Sequence, residues 1–232
     1  MKLTWFGHSA FMLDDGEHIA LIDPFLTGNP VSSVDAGTLS PQTILLTHAH
    51  NDHVGDTVKI AKRSGATVIA TFELANWVAS QGVKTTIGGN HGGTIAFAGG
   101  TAKFTPAWHT SSYTDGDGNV VAAGLPAGFL IRFGGKTIYA SGDTALFLDM
   151  QLIGEEHPDI ALLPIGDHFT MGPDDAFRAV TLIRPGTVIP IHYNTFPPIQ
   201  QDAEKFKQRV ESETASRVLV LQPGETHEFP SR

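Results

Sequence analysis

Short apolar segments of strand length, separated by turns that contain glycine or proline, open the chain. Residues 2–6 and 10–13 are predicted strands, and a turn at 14–17 leads to a returning strand at 19–22. The continuous apolar run at 42–46 combines β-branched and aliphatic residues and is typical of a buried strand. The pattern therefore predicts that the chain begins with a β-rich region built on a hairpin.

From residue 56 onward, strand patterns alternate with segments of helical periodicity. Helices are predicted at 56–64, 73–80, about 146–155, 173–183 and 202–214, and strands at 66–70, 102–108, 129–133, 136–140, 160–165, 188–191 and 218–221. Residues 111–128 contain Asp115-Gly116-Asp117-Gly118, which predicts a hairpin or a lid. Early strands followed by strand–helix alternation fit an α/β (α+β) fold, a four-layer αββα sandwich of two mixed β-sheets with helices outside.

Composition restricts the class of protein. The chain has 232 residues, 41% hydrophobic and 17% charged, which is the profile of a soluble globular protein, and a single domain over 1–232 is predicted. A net charge of −9 argues against a nucleic-acid backbone as the main partner. The lack of cysteine excludes disulfides and thiolate metal ligands. Because neither a signal-peptide pattern nor a bilayer-spanning apolar run is present, we expect a cytoplasmic protein without a membrane partner.

The segment Thr47-His48-Ala49-His50-Asn51-Asp52-His53 directly follows the predicted strand 42–46. In an extended segment His48 and His50 point the same way, and a tight turn can return Asp52 and His53 to the same space. Neutral imidazoles and a carboxylate are ligands that suit zinc and similar divalent metals. Four such residues within six positions predict a metal site that has room for two ions.

Three further ligand-type residues follow predicted strands. His109, Asp143 and His192 come after the strands 102–108, 136–140 and 188–191. Strand ends of this kind gather side chains from distant parts of the sequence at one edge of a rigid scaffold. We therefore expect these residues to join the histidine segment in one metal centre.

Further short motifs are distributed along nearly the whole chain. They are Phe6-Gly7-His8-Ser9-Ala10-Phe11, Ile22-Asp23-Pro24-Phe25, Pro126-Ala127-Gly128-Phe129, Ser141-Gly142-Asp143-Thr144, Pro164-Ile165-Gly166-Asp167-His168-Phe169-Thr170-Met171-Gly172 and Pro190-Ile191-His192-Tyr193-Asn194. With them and the segment 47–53, the chain resembles the metallo-β-lactamase superfamily of metal-dependent hydrolases. More narrowly, it is similar to the UPF0173-type, ascorbate-6-phosphate-lactonase-like branch of that superfamily.

The resemblance implies the metallo-β-lactamase sandwich and two divalent metal ions per chain. It assigns the first ion to His48, His50 and His109, the second to Asp52, His53 and His192, and a bridging position to Asp143. Hydroxide between two cations would attack an electrophilic carbonyl or phosphorus, because paired positive charge lowers the pKa of water. Asp52 is also expected to orient that nucleophile or to accept its proton.

Two positions narrow the expected chemistry within the superfamily. His50 stands where the diiron oxygen-reducing branch usually has glutamate, which favours hydrolysis over redox chemistry. Asp143 stands where many zinc β-lactamases have cysteine, which argues against antibiotic hydrolysis. Lactones, phosphodiesters and thioesters are the better substrate candidates.

Three more residues have candidate roles. His8 is either an additional metal ligand or substrate contact, or a hairpin histidine with a structural hydrogen bond. His168 is a candidate catalytic donor to the substrate or to the developing charge. Asp56 is expected to cap the helix 56–64 and to hydrogen-bond a ligand histidine.

The expected function is hydrolysis of a small, anionic, ester-like molecule by a binuclear metal centre. Zinc is the favoured metal, with manganese, nickel and iron as alternatives, because imidazole and carboxylate serve all four. The competing hypotheses are a metal-binding sensor or scaffold without turnover and a nuclease of the same superfamily. The sequence leaves the formation of a homo-oligomer open.

Overall fold

The computed structural model describes residues 1–230, which form two seven-stranded β-sheets packed face to face. The first sheet has the spatial order β16 (Thr226–Glu228), β1 (Lys2–Gly7), β2 (Ala10–Asp14), β3 (Ile19–Ile22), β4 (Thr43–Leu45), β5 (Thr67–Thr71), β6 (Thr86–Gly89). The second sheet has the order β15 (Arg217–Val218), β14 (Thr187–Ile191), β13 (Ile160–Pro164), β12 (Lys136–Ala140), β11 (Ala127–Phe133), β8 (Gly100–Pro106), β7 (Thr94–Phe97).

Both sheets are mixed, and each joins an antiparallel half to a parallel half. In the first sheet β1, β2 and β3 pair antiparallel, whereas β3 to β6 run parallel. In the second sheet β7, β8, β11 and β12 pair antiparallel, whereas β12 to β15 run parallel. A separate hairpin joins β9 (Ser112–Thr114) to β10 (Val120–Ala122).

The helices cover the outer faces of the sheets. They are α1 (Asn51–Val54), α2 (Thr57–Ser64), α3 (Phe72–Ser80), α4 (Met150–Gly154), α5 (Pro173–Ile183) and α6 (Ala203–Glu213), with short 3₁₀ turns at Ala36–Thr38 and Pro197–Ile199. Helices α2 and α3 pack on the first sheet, and α4, α5 and α6 pack with the second. The predicted four-layer αββα sandwich is confirmed.

The apolar strands of the first sheet are buried on both faces. Leu45 and Ile69 belong to the core shared with the second sheet, whereas Ile44 and Val68 belong to a separate core that includes Leu74 of α3. Because successive side chains of a strand point to opposite faces, a continuous apolar run can supply two cores at once. This explains why these strands show no polar alternation.

Several element boundaries differ from those predicted. Helix α4 begins at Met150, although helix was predicted from about residue 146. The residues just after Asp143 are hydrogen-bonded to Trp108 instead: Ala145 N donates to the Trp108 carbonyl at 3.1 Å, and the Thr144 hydroxyl accepts from Trp108 N at 2.9 Å. Strand β16 was not predicted, and it pairs with β1 from the far end of the chain. No helix in residues 1–230 is both long and apolar enough to cross a membrane.

Candidate metal centre

His48, His50 and His109 form a first cluster at the end of β4 and β8. His48 Nε2 lies 3.0 Å from His50 Nδ1, and His109 Nε2 lies 3.3 Å from the same atom. Burial lowers the pKa of all three imidazoles, so they are neutral near pH 7. Three neutral nitrogens this close to one another match the donor set of one divalent cation.

His8, Asp52, His53 and His192 form a second cluster, whose candidate ligand atoms all lie within 4.8 Å of one another. His8 Nε2 is 3.1 Å from Asp52 Oδ2. Burial, reinforced by His192, lowers the pKa of His8 to about 4. Burial acts to raise the pKa of Asp52, but the hydrogen bond with His8 and the charge of His53 hold it below its ordinary value. Asp52 is therefore a carboxylate anion in this cluster.

The buried carboxylate of Asp143 lies between the two clusters. Its Oδ2 is 2.9 Å from His192 Nε2 and 3.6 Å from His109 Nε2, and its Oδ1 is 3.3 Å from His53 Nε2. Burial opposes ionisation, yet His192 and His53 hold the pKa of Asp143 well below its ordinary value. Asp143 is thus an anion that contacts histidines of both clusters.

Asp23, which the sequence did not single out, orients two of these histidines. Its Oδ2 accepts from His53 Nδ1 at 2.8 Å and from the Thr47 hydroxyl at 2.6 Å, and its Oδ1 accepts from Thr47 N at 2.9 Å. The Thr47 oxygen in turn lies 3.0 Å from His48 Nδ1. The Nδ1 atoms of His48 and His53 therefore donate to this network, which leaves the two Nε2 atoms directed at the site.

Several of these side chains are positioned by unusual backbone conformations, which the surrounding fold maintains. His8, Asp23 and His192 directly follow strands β1, β3 and β14, and their φ angles are 56°, 43° and 52°. Non-glycine residues rarely adopt this left-handed region, and those that do cluster at functional sites. Gly142 permits a close approach before Asp143, because a Cβ there would lie 2.8 Å from the Thr47 Cβ. The loops are held together tightly at this edge of the sandwich.

Divalent cations fit this set of residues. His53 Nε2 and Asp143 Oδ1 are buried 3.3 Å apart, and neither makes a hydrogen bond of ordinary geometry among residues 1–230. His192 Nδ1 is likewise buried without a partner in that part of the chain. Buried polar atoms are seldom left unpaired in native proteins, and an imidazole–carboxylate donor set is one that zinc and related metals prefer. The centre has the character of a metal site.

The seven predicted ligands and His8 all lie in this one centre. His168 does not join it within residues 1–230: its side chain is exposed and its ring packs edge-on against Phe169 at 4.4 Å. Its role as a catalytic donor stays a prediction.

Asp56 occupies the N-cap position of α2, as predicted, but its carboxylate makes neither of the predicted contacts. Its carboxylate does not cap α2, because it accepts hydrogen bonds from the Leu26 and Thr27 amides and from the Thr27 hydroxyl. The carboxylate that bonds a ligand histidine is Asp23. The sequence carried a faint sign of this, since Asp23 lies in one of the motifs quoted above and directly follows a strand.

A cavity of about 570 Å³ opens beside Asp52. Three half-buried aromatic side chains line it, Phe25, Tyr113 and Phe196, together with polar residues that include Thr27 and Asn51. The hairpin β9–β10 closes one side, because Asn51 Nδ2 donates to the Thr114 carbonyl at 2.7 Å and Thr114 N donates to Asn51 Oδ1 at 3.0 Å. The centre is thereby joined to a space of the size that small-molecule sites have.

Known proteins with the same fold align with nearly the whole length of this chain. Residues 18–193 match the family model described as a beta-lactamase superfamily domain. A UPF0173 metal-dependent hydrolase of Thermus thermophilus is 51% identical over 97% of both chains, and one of Archaeoglobus fulgidus is 47% identical over 99% of both. The solved structure of Igni18, a metallo hydrolase of Ignicoccus hospitalis, superposes with a TM-score of 0.87, with 41% identity over 99% of both chains.

The sandwich and its histidine–aspartate centre define a protein of the metallo-β-lactamase class. Within that class, the chain belongs to the UPF0173 family of metal-dependent hydrolases.

Proposed function

We propose that this protein hydrolyses a small ester-like substrate, a lactone or a phosphodiester, at a centre that holds two divalent cations. The observation that carries the proposal is the position of Asp143, whose two oxygens lie 2.9 Å and 3.3 Å from His192 and His53 of the second cluster. The same carboxylate lies 3.6 Å from His109 of the first cluster. One anion shared by two ligand clusters is the arrangement that two neighbouring cations require to offset their mutual repulsion.

This geometry suggests which residues would bind each ion. His48, His50 and His109 would hold one cation, the second cluster the other, and Asp143 would touch both. Cations held there supply Lewis acidity toward the scissile bond and lower the pKa of water. Asp23 keeps the Nε2 atoms of His48 and His53 directed at the site.

The role of Asp52 is to hold and orient the attacking water. Its pKa lies below the ordinary value, against the effect of burial, because of His8 and His53, so the side chain is an ionised carboxylate that can accept a hydrogen bond from water. Its side chain also retains 30% exposure, which places it at the entrance of the centre. Hydrolysis adds the water oxygen to the acyl carbon or phosphorus, the ester bond breaks, and the leaving oxygen takes up a proton.

A small molecule is the proposed partner. The cavity beside Asp52 has the volume of a small-molecule site, and none of its lining residues is lysine or arginine. A polyanionic nucleic acid would need such cations along its backbone, and the net charge of −9 works against it. Any anionic charge on the substrate is expected at the reacting group, next to the metal ions.

Metal analysis and a substrate screen test this function together. Purified protein loaded with zinc, manganese, nickel or iron should contain about two ions per chain and hydrolyse at least one lactone, phosphodiester or thioester. His50→Ala and Asp143→Ala should lose metal and activity together, because each removes a group of the ligand clusters. His227→Ala, on the edge strand β16, is the matched control and should retain both.

Two results would contradict the proposal in different ways. A folded wild-type protein that binds no metal under any loading condition would remove the metal centre itself. A fully loaded protein that turns over none of these esters would favour the metal-binding sensor or scaffold instead.

A further inference from the structure

The cavity beside Asp52 has an aromatic lining assembled from three separate parts of the chain. Phe25 follows β3, Tyr113 lies in β9, and Phe196 follows the ligand His192 by four residues. All three side chains are half-buried and line the cavity. Three aromatic rings around one space favour a flat apolar group.

These walls are fixed before any ligand arrives. Gly55 lies so close to the loop after β3 that a Cβ there would be 2.5 Å from the Phe25 Cα, and Asp56 N donates to the Pro24 carbonyl at 2.9 Å. The Tyr113 ring packs on Trp77 of α3 at 4.3 Å between centroids. A preformed aromatic space loses little conformational entropy when it binds a ligand.

The aromatic walls begin at the metal centre. The His8 ring makes edge contacts with Phe25 at 5.8 Å and with Phe196 at 5.6 Å between ring centroids. Asp52, which lines the same cavity, lies 3.1 Å from His8. A substrate whose reacting bond sits at the centre would therefore place its neighbouring group between Phe25 and Phe196.

Most of the polar side chains of the cavity already have hydrogen-bond partners. The Thr27 hydroxyl donates to Asp56, the Asn51 carboxamide pairs with both backbone groups of Thr114, and the Asp52 carboxylate bonds His8. No lining residue is lysine or arginine, whereas two, Asp52 and Asp56, are acidic. An anionic group here would lie close to the carboxylates of Asp52 and Asp56 with no lysine or arginine beside it, and a strongly polar group would find few free partners apart from the Tyr113 hydroxyl.

We infer that this cavity is the specificity pocket of the enzyme and that it takes an uncharged aromatic group attached close to the reacting bond. The inference rests on the proposed ester hydrolysis for its reaction, but the pocket itself can be tested without turnover. Phe25 and Phe196 are its specificity-determining residues.

Three methyl esters that differ only in the group near the carbonyl provide the activity test. They are methyl 3-phenylpropionate, methyl propionate and monomethyl succinate. For the metal-loaded wild type, kcat/KM should favour the phenyl ester over methyl propionate by about tenfold or more, the discrimination that an apolar pocket gives. The succinate ester should be the poorest of the three. A wild type that hydrolyses the succinate ester best, or all three equally, would overturn the inference.

Variants of the pocket residues test whether the preference for the phenyl ester arises in this cavity. Phe25→Ala and Phe196→Ala should lower the ratio of the phenyl ester to methyl propionate by about tenfold, because each removes one aromatic wall. Phe72→Ala removes an exposed aromatic ring of α3 that does not line the cavity, and the ratio should stay at the wild-type value. A ratio that Phe25→Ala and Phe196→Ala leave unchanged would contradict the assignment.

Direct binding separates this inference from the proposed reaction. The amide 3-phenylpropionamide carries the same group and no ester, and in protein-observed NMR it should shift the backbone amides of Asn51 and Tyr113. The shifts should be lost in Phe196→Ala and kept in Phe72→Ala. Binding without hydrolysis of any ester would support the pocket and reject the reaction. Ester hydrolysis without binding of this amide and without a preference for the phenyl ester would support the reaction and reject the pocket.

Discussion

The carboxylate of Asp23 controls the orientation of two candidate ligand histidines. It accepts directly from His53 at 2.8 Å and reaches His48 through the Thr47 hydroxyl. Asp23 is 1% exposed, so water cannot substitute for any of these bonds. Residues that fix the tautomer of a metal-binding histidine affect metal affinity nearly as much as the ligands do. Asp23 is therefore a positioning residue of the centre.

Asp23→Asn should weaken metal binding by about 10–100-fold, because an amide cannot accept from His53, the Thr47 hydroxyl and Thr47 N at once. Competition titration with a chromophoric chelator measures the affinity, and circular dichroism checks the fold. Asp117→Asn makes the same chemical change in the exposed hairpin turn and should keep the wild-type affinity. Equal affinities of Asp23→Asn and wild type would show that the network does not position the ligands.

At the scale of single residues, the sequence identifies histidines and aspartates whose type and position indicate metal binding. It misses residues that only orient those side chains. The histidine segment 47–53 and the strand-end residues His109, Asp143 and His192 carry their own signal. Asp23 does not, because its backbone turns into the left-handed region with φ 43° and no local rule predicts that. The helix-cap rule did not predict the contacts of the Asp56 carboxylate, because the amides of residues 26 and 27 donate hydrogen bonds to it.

At the scale of elements, one helical turn and one hairpin shape the entrance to the centre. Helix α1 begins directly after the candidate ligand His50 and contains Asp52 and His53, and its first residue, Asn51, pairs with Thr114 of β9. The Ser111 hydroxyl also accepts from Ala49 N at 3.2 Å. Metal ligands and hairpin are thus coupled through hydrogen bonds at the rim of the cavity.

Asn51→Ala should loosen the hairpin without loss of metal. The change removes both side-chain hydrogen bonds to Thr114, each of which stabilises the contact by about 1 kcal/mol. Hydrogen–deuterium exchange at 112–122 should accelerate, and metal content should match the wild type. Asn90→Ala, in another exposed turn, should leave exchange at 112–122 as it is. Unaltered exchange in Asn51→Ala would mean that the hairpin is held by other contacts, such as the Tyr113–Trp77 packing.

Most elements were predictable because their apolar patterns are long. Helix α5 was predicted with its observed bounds, since Pro173 begins its first turn and apolar residues follow at helical spacing. The start of helix α4 and the existence of strand β16 were not predictable, because tertiary hydrogen bonds decide where each begins. The region 111–128 was predicted as a hairpin or lid, and it contains the hairpin β9–β10, but nothing local indicated that Asn51 fastens it.

At the scale of the whole molecule, the centre lies where the two sheets meet. His8 and the segment His48 to His53 extend from strands of the first sheet, and His109, Asp143 and His192 extend from strands of the second. Few backbone bonds join the two sets of loops there; His192 N donates to the His8 carbonyl at 3.1 Å, and Ala127 N donates to the Thr47 carbonyl at 2.9 Å. Metal ions at the centre would tie the two sheets together through side chains.

Removal of the metal should therefore lower the stability of the entire fold. A ligand present at a hundred times its dissociation constant stabilises the native state by about 2.7 kcal/mol, and for a chain of this length Tm changes by about 2–4 °C per kcal/mol. Chelation should accordingly lower Tm by about 5–10 °C for each ion lost, as measured by calorimetry on protein whose metal content is assayed in parallel. Asp143→Ala provides the control, because a variant that no longer holds metal should melt at the same temperature with and without chelator. If chelation empties the wild-type site and its Tm does not move, the ions do not couple the two sheets, and the close packing around Thr47 and Gly142 holds this edge of the sandwich by itself.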